Sequence, residues 1–148
     1  MTDQLPLASK LAHNIGLIVL QSQELERNLK LVVAAMDQPA TTSVIQRHQG
    51  LRRRSLGEVV KRFLANVTVT EGSVAHLESY FQLLLDRRNN VVHHFFEVYG
   101  ADLEAGKHTE VLASLAKLHG ELRHVATSFR GVNRAFLESL QEEPPLAS

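Results

Sequence analysis

Between Pro39 and Pro144 the chain runs for more than a hundred residues without a proline. Proline removes a backbone donor and clashes with the preceding turn, so a stretch this long without one leaves continuous helices open to the chain. The other two prolines, Pro6 and Pro145, lie near the ends. Inside the stretch aromatics are few, Leu and Ala are frequent, and apolar residues recur every three and four positions. That pattern predicts an all-α fold.

The spacing predicts a first helix over about 5–36, with Leu11, Ile15, Ile18, Leu25, Leu29, Val32 and Met36 on one face and Ser22 in its one polar slot. Asp37-Gln-Pro39 ends it, because a residue before proline disfavours helix. A second element over 42–51 is weakly marked. Ser55-Leu-Gly-Glu58 reads as a capping box opening a short helix with Leu56, Val59, Val60, Phe63 and Leu64 inward. The β-branched stretch from Asn66 to Gly72 reads as an extended loop. A third long helix is expected over about 73–98, stopped by Gly100. A fourth is expected over about 109–141 with the seam Leu115, Leu118, Leu122, Val125, Phe129, Val132, Phe136 and Leu140. Thirty helical residues span about 45 Å. The expected architecture is therefore an elongated antiparallel bundle of four to five helices. It forms one domain over 1–148, with 142–148 as a flexible tail.

Composition narrows the functions. Sixteen basic residues balance sixteen acidic ones, so any contact with nucleic acid or anionic lipid must come from a local patch. With no cysteine, thiolate metal sites and Cys nucleophiles are excluded. No apolar run is long enough to span a bilayer and no signal peptide is evident, so the expectation is a cytoplasmic protein without membrane contact.

The third long helix carries the residue that breaks the pattern. Counting about 100° per residue from Leu77, the side chains of Phe81, Leu84, Val91, Val92 and Phe95 fall on one core-facing stripe. Arg88 falls about 20° from its centre, where a leucine belongs. An unpaired buried guanidinium is costly, so it needs an anion, a carboxylate or a route to solvent. The bland account is a snorkelling arginine or a core ion pair. Asn89 and His93, four apart on one face, lie about 100° to 140° round from it along the same edge. A guanidinium to grip an anion, an amide to position it and an imidazole to move protons suit a phosphate-handling surface.

These residues, within Leu85-Asp-Arg-Arg-Asn-Asn-Val-Val-His-His-Phe-Phe96, resemble the signature of HEPN domains: Arg-x(4–6)-His with a polar residue after the arginine. With eleven Arg and eight His in the chain, the bare spacing arises by chance about 0.6 times, and requiring Asn after Arg lowers this to about 0.02. The resemblance implies a helical bundle that dimerises through its motif helices. It also implies one of two activities: metal-independent RNA cleavage, or a non-catalytic binding or regulatory role. Arg88, Asn89 and His93 would be the catalytic set, with no cofactor and no metal. A toxin subgroup of the family carries a modifiable tyrosine two residues after the histidine, where this chain has Phe95.

RNA cleavage without metal needs one group to take the ribose 2′ proton, one to protonate the leaving 5′ oxygen, and a cation at phosphorus. A chain with one such histidine supplies both acid and base only as a homodimer. His94, Asn90 and Arg87 are expected beside the site or against RNA. Arg52, Arg53 and Arg54, with Arg47 and His48, form the one concentrated basic patch; it reads equally as a solvated turn or an RNA backbone contact. Glu121-x-x-His124 has di-iron spacing but no second pair, and His13, His76, His108 and His119 are scattered without ligand spacing. The leading expectation is a HEPN-type endoribonuclease in a toxin or defence role, with an antitoxin or regulatory protein as candidate partner. The alternative is a non-catalytic helical interaction protein whose polar motif fixes the dimer. An unrelated monomeric bundle with a snorkelling arginine is the third.

Overall fold

A computed structural model describes residues 5–36, 43–67 and 71–142, without the side chains of 71–74 and 140–142. The described residues form six helices: α1 (Leu7–Met36), α2 (Val44–Leu51), α3 (Leu56–Asn66), α4 (Glu71–His93), α5 (Phe95–Glu104) and α6 (His108–Glu142). No described residue lies in a strand. The all-α class holds, with six helices in place of four to five.

The two longest helices set the frame. Glu24 pairs with Arg130, and the Asn28 side chain donates to the Ala126 carbonyl at 3.1 Å. Rising numbers on α1 meet falling numbers on α6, so the two are antiparallel. The expected α1 stripe is inward: Ile18, Ser22, Leu25, Leu29 and Val32 are buried, with Leu11 and Ile15 packed against the core. Toward the C-terminal end of α1 the stripe widens to include Asn28, Val33 and Ala34, because α2 and α3 cover a second face. Ser22 returns its hydroxyl to the Ile18 carbonyl at 2.7 Å, so its burial leaves no donor unmet.

The α6 seam holds for its first half. Leu115, Leu118, Leu122 and Val125 are buried and Phe129 packs on the core, but Val132 is 51% exposed. A straight helix drifts from a 3.5-residue repeat by about 20° per heptad. By the fifth turn past Leu115 the drift brings Asn133 round instead, and its amide donates to the Asn28 carbonyl at 3.0 Å.

The third long helix departs most from expectation. It breaks at His94, continues as α5 straight through Gly100, and stops six residues later. The stop is Gly106, at φ +78°, the one positive-φ residue described. Lys107 N–H reaches the Asp102 carbonyl at 2.8 Å and Gly106 N–H the Leu103 carbonyl at 3.1 Å, the paired bonds of a Schellman end. A glycine can continue a helix at modest cost, and only position 106 needs the left-handed backbone.

The Ser55–Glu58 capping box is present. Ser55 Oγ accepts from Glu58 N–H at 3.3 Å, and Glu58 Oε2 accepts from Ser55 N–H at 2.8 Å. Those bonds hold the Glu58 carboxyl below its ordinary value of 4.5. The weakly marked second element is α2, capped by Ser43. The Asp37–Pro39 stop, residues 68–70 of the expected loop and the tail from 143 lie outside the described residues; Glu71 and Gly72, expected in that loop, already belong to α4.

Candidate phosphate-handling site

Helix α4 brings its aromatic half and its polar half to different neighbours. Phe81 meets Phe63 of α3 and Phe129 of α6, with ring centroids 6.0 and 6.2 Å away. Two turns further on, Arg88 occupies the stripe between Leu84 and Val91, both buried. Its side chain is half-buried, as the periodicity requires. Arg88 Nη1 donates to Asn89 Oδ1 at 2.8 Å, while Arg88 Nε is shut off from solvent with no acceptor. The motif arginine thus has its neighbouring amide as partner and one donor unmet, a state that costs stability.

Arg88 and Asn89 open into a cleft of about 550 Å³ between α1, α3 and α4. Its wall carries four carboxylates, Glu26, Glu58, Glu78 and Asp86, against two cations, Lys61 and Arg88. Three of the acids are occupied. Glu26 holds the buried Lys30 at 2.7 Å, Glu58 meets Arg54 at 3.4 Å, and Asp86 accepts from Gln82 at 2.9 Å. Lys30 also donates to the Arg52 carbonyl at 3.1 Å, which satisfies a charge taken out of water.

His93 ends α4 and is exposed. It lies in a separate shallow depression of about 310 Å³ with Val92, His94, Phe95, Phe96 and Glu97. Five residues of helix place it about 140° round and about 7.5 Å along from Arg88. Within the chain, therefore, the guanidinium and the imidazole open on different sides, and only Arg88 and Asn89 are brought together. His94 sits at the helix break, its ring 6.4 Å from that of His93, and its Nδ1 lies 3.3 Å from Glu97 Oε2.

The remaining expected residues separate into ties and free groups. Arg87 bridges α4 to α6 through Glu121 at 3.1 Å. The same carboxylate, after partial burial, helps push the Tyr80 phenol above its ordinary value of 10. Asn90 is half-buried, and its carbonyl accepts from His94 N–H at 3.2 Å at the end of α4. The basic patch is divided. Arg47 Nε donates to the Ala34 carbonyl at 2.6 Å near the end of α1, and Arg54 faces Glu58. Arg52 and Arg53 stay exposed around an open hollow with Gln49 and Gly50.

Sequence reasoning missed the acidic wall, because its carboxylates come from three helices and no local pattern links them. It also passed over Phe96, although in the Phe95-Phe96 doublet only one ring can follow the stripe. Among the described residues no group of three or more His, Asp or Glu is close enough to hold a metal ion, and no helix is long and apolar enough to cross a membrane. Comparison with protein-family models, with curated proteins and with solved structures returned no match.

Proposed function

We propose that this chain is a HEPN-type, metal-independent endoribonuclease, with a toxin or defence role, whose active site is completed across a homodimer. The observation that carries the reading is Arg88. A guanidinium stands in a core stripe with its Nε donor unmet and no carboxylate paired to it among the described residues. The cost of that arrangement calls for an anion as its partner. His93, exposed at the end of the same helix, is free to reach a substrate.

In this scheme Arg88 stabilises charge building on phosphorus and Asn89 orients the phosphate. One His93 takes the 2′ proton as the 2′ oxygen attacks phosphorus. The His93 of the second copy protonates the departing 5′ oxygen, giving a 2′,3′-cyclic phosphate and a 5′-hydroxyl. The roughly 140° between Arg88 and His93 is why two copies are needed. Arg52 and Arg53 are the candidate RNA-backbone contacts, whose binding weakens steeply with salt.

One observation favours a second reading, a non-catalytic HEPN-like interaction or regulatory protein. The cleft under Arg88 has more carboxylates than cations, and a phosphate entering it meets that repulsion. Incubation with structured and single-stranded RNA in EDTA separates the two. The ribonuclease reading expects cleavage that falls at least about a hundredfold in His93→Ala and Arg88→Ala. Cleavage surviving both variants, or none by the wild type, overturns it and leaves the regulatory reading.

A further inference from the structure

We infer that Phe96, outside the Arg-Asn-His motif, is a base-stacking residue that seats an unpaired nucleotide beside His93. The inference rests on the RNA reading above and names the form of RNA taken.

Phe95 and Phe96 are adjacent but differently held. Phe95 packs on the core and on Tyr99, with ring centroids 5.2 Å apart. Phe96 is 79% exposed, the most exposed large apolar side chain described, and stands edge-on to Phe95 at 5.3 Å and 80°. The anchored ring fixes the base of the free one. The break at His94 puts the last residue of α4 and the first turn of α5 around one depression, so His93, His94 and Phe96 share it.

An isolated exposed phenylalanine is ordinary on a protein surface. Here its neighbours decide the reading. A partner helix needs apolar side chains at three- and four-residue steps. From Phe96 those steps reach Val92, Tyr99 and Leu103, all half-buried, and Gly100, so Phe96 is the one exposed apolar side chain on that stripe. One flat apolar face flanked by two imidazoles suits one flat ring with polar edges. Every nucleobase offers such a face, and stacking of bases on aromatic side chains is a main source of single-strand affinity. A duplex keeps its bases stacked on one another, so the site takes single-stranded RNA or a loop.

The experiment uses the full chain and a short single-stranded RNA scanned with one abasic ribose. Binding and dimer mass are measured for the wild type, Phe96→Ala, Phe96→Trp and His93→Ala. Phe96→Ala is expected to weaken binding by about tenfold, with Phe96→Trp restoring it. One abasic position should cost the wild type a similar factor and Phe96→Ala nothing more. His93→Ala should lose cleavage and, since its imidazole flanks the seat, some affinity, while one abasic position still weakens it further. Equal binding by the wild type and Phe96→Ala, no RNA binding at all, or loss of the dimer in Phe96→Ala overturns the inference, the last by making a second copy the occupant. Stacking without cleavage by the wild type would remove the ribonuclease reading alone; cleavage indifferent to Phe96 would remove the stacking alone.

Discussion

The α1–α6 pair, with helices of 30 and 35 residues, and the α4–α5 pair, with helices of 23 and 10, solve opposite problems. Along α1 and α6 the contact surface is apolar, and its buried polar residues are matched at Ser22 to Ile18, Asn28 to Ala126 and Asn133 to Asn28, with Gln21 Oε1 on α1 left buried without a donor. Along α4 and α5 the stripe is interrupted by a guanidinium with an unmet donor, and the helix breaks six residues later. Stability is concentrated in the first pair, where the one unmet atom belongs to a neutral amide, and a cationic group with an unmet donor stands in the second. A side chain held at a cost where a leucine would fit is the mark of a residue kept for something other than packing.

The largest effect that sharpens this contrast is expected on the first pair. Leu29 is fully buried, and Leu29→Ala should lower unfolding free energy by about 2–5 kcal/mol in a denaturant titration. A loss under about 1 kcal/mol would mean the α1–α6 contact does not dominate the fold. Asn28→Ala comes next, at about 1–3 kcal/mol, because it removes one amide bond and leaves the Ala126 carbonyl buried. On the second pair the sign should change. Arg88→Leu is expected to leave stability unchanged or raise it by about 1 kcal/mol, while abolishing the proposed RNA cleavage. A marked drop in its melting temperature would erase the contrast. The smallest effect is one of pH. The folded state holds the Glu58 carboxyl below 4.5, so its stabilisation is present above the unfolded value and lost as pH falls through the lowered one. Thermal scans from neutral pH into acid should show Glu58→Gln losing less stability than the wild type.

Which parts were legible in the sequence follows the same division. Local signals were reliable: the α1 stripe, the Ser55–Glu58 box and the first half of the α6 seam needed only spacing and caps. The intrusion of Arg88 into the core was also readable, since a helical count of 100° per residue holds within one helix. The break at His94 was not readable, because neither glycine nor proline marks it. The choice of Gly106 over Gly100 as the stop depends on backbone conformation, which two glycines in similar surroundings do not reveal. The tie from Arg87 to Glu121, thirty-four residues away, was not readable either, because no local pattern links the two. The separation of Arg88 from His93 was implicit in their spacing, but the acidic wall between α1, α3 and α4 required the tertiary fold.

The bend at His94 has one more consequence. Hydrogen bonds run up to it and away from it, from His94 N–H to the Asn90 carbonyl at 3.2 Å and from Val98 N–H to the His94 carbonyl at 3.0 Å. The kink therefore interrupts the ladder at His94, whose backbone is non-helical at φ −131° and ψ 28°, and the Phe95 and Tyr99 rings pack against each other just beyond it. Trimming Tyr99 to leucine should re-aim α5 without melting either segment. Circular dichroism would not register that rotation, whereas residual dipolar couplings along α5 would; unchanged couplings would assign the angle to the backbone alone.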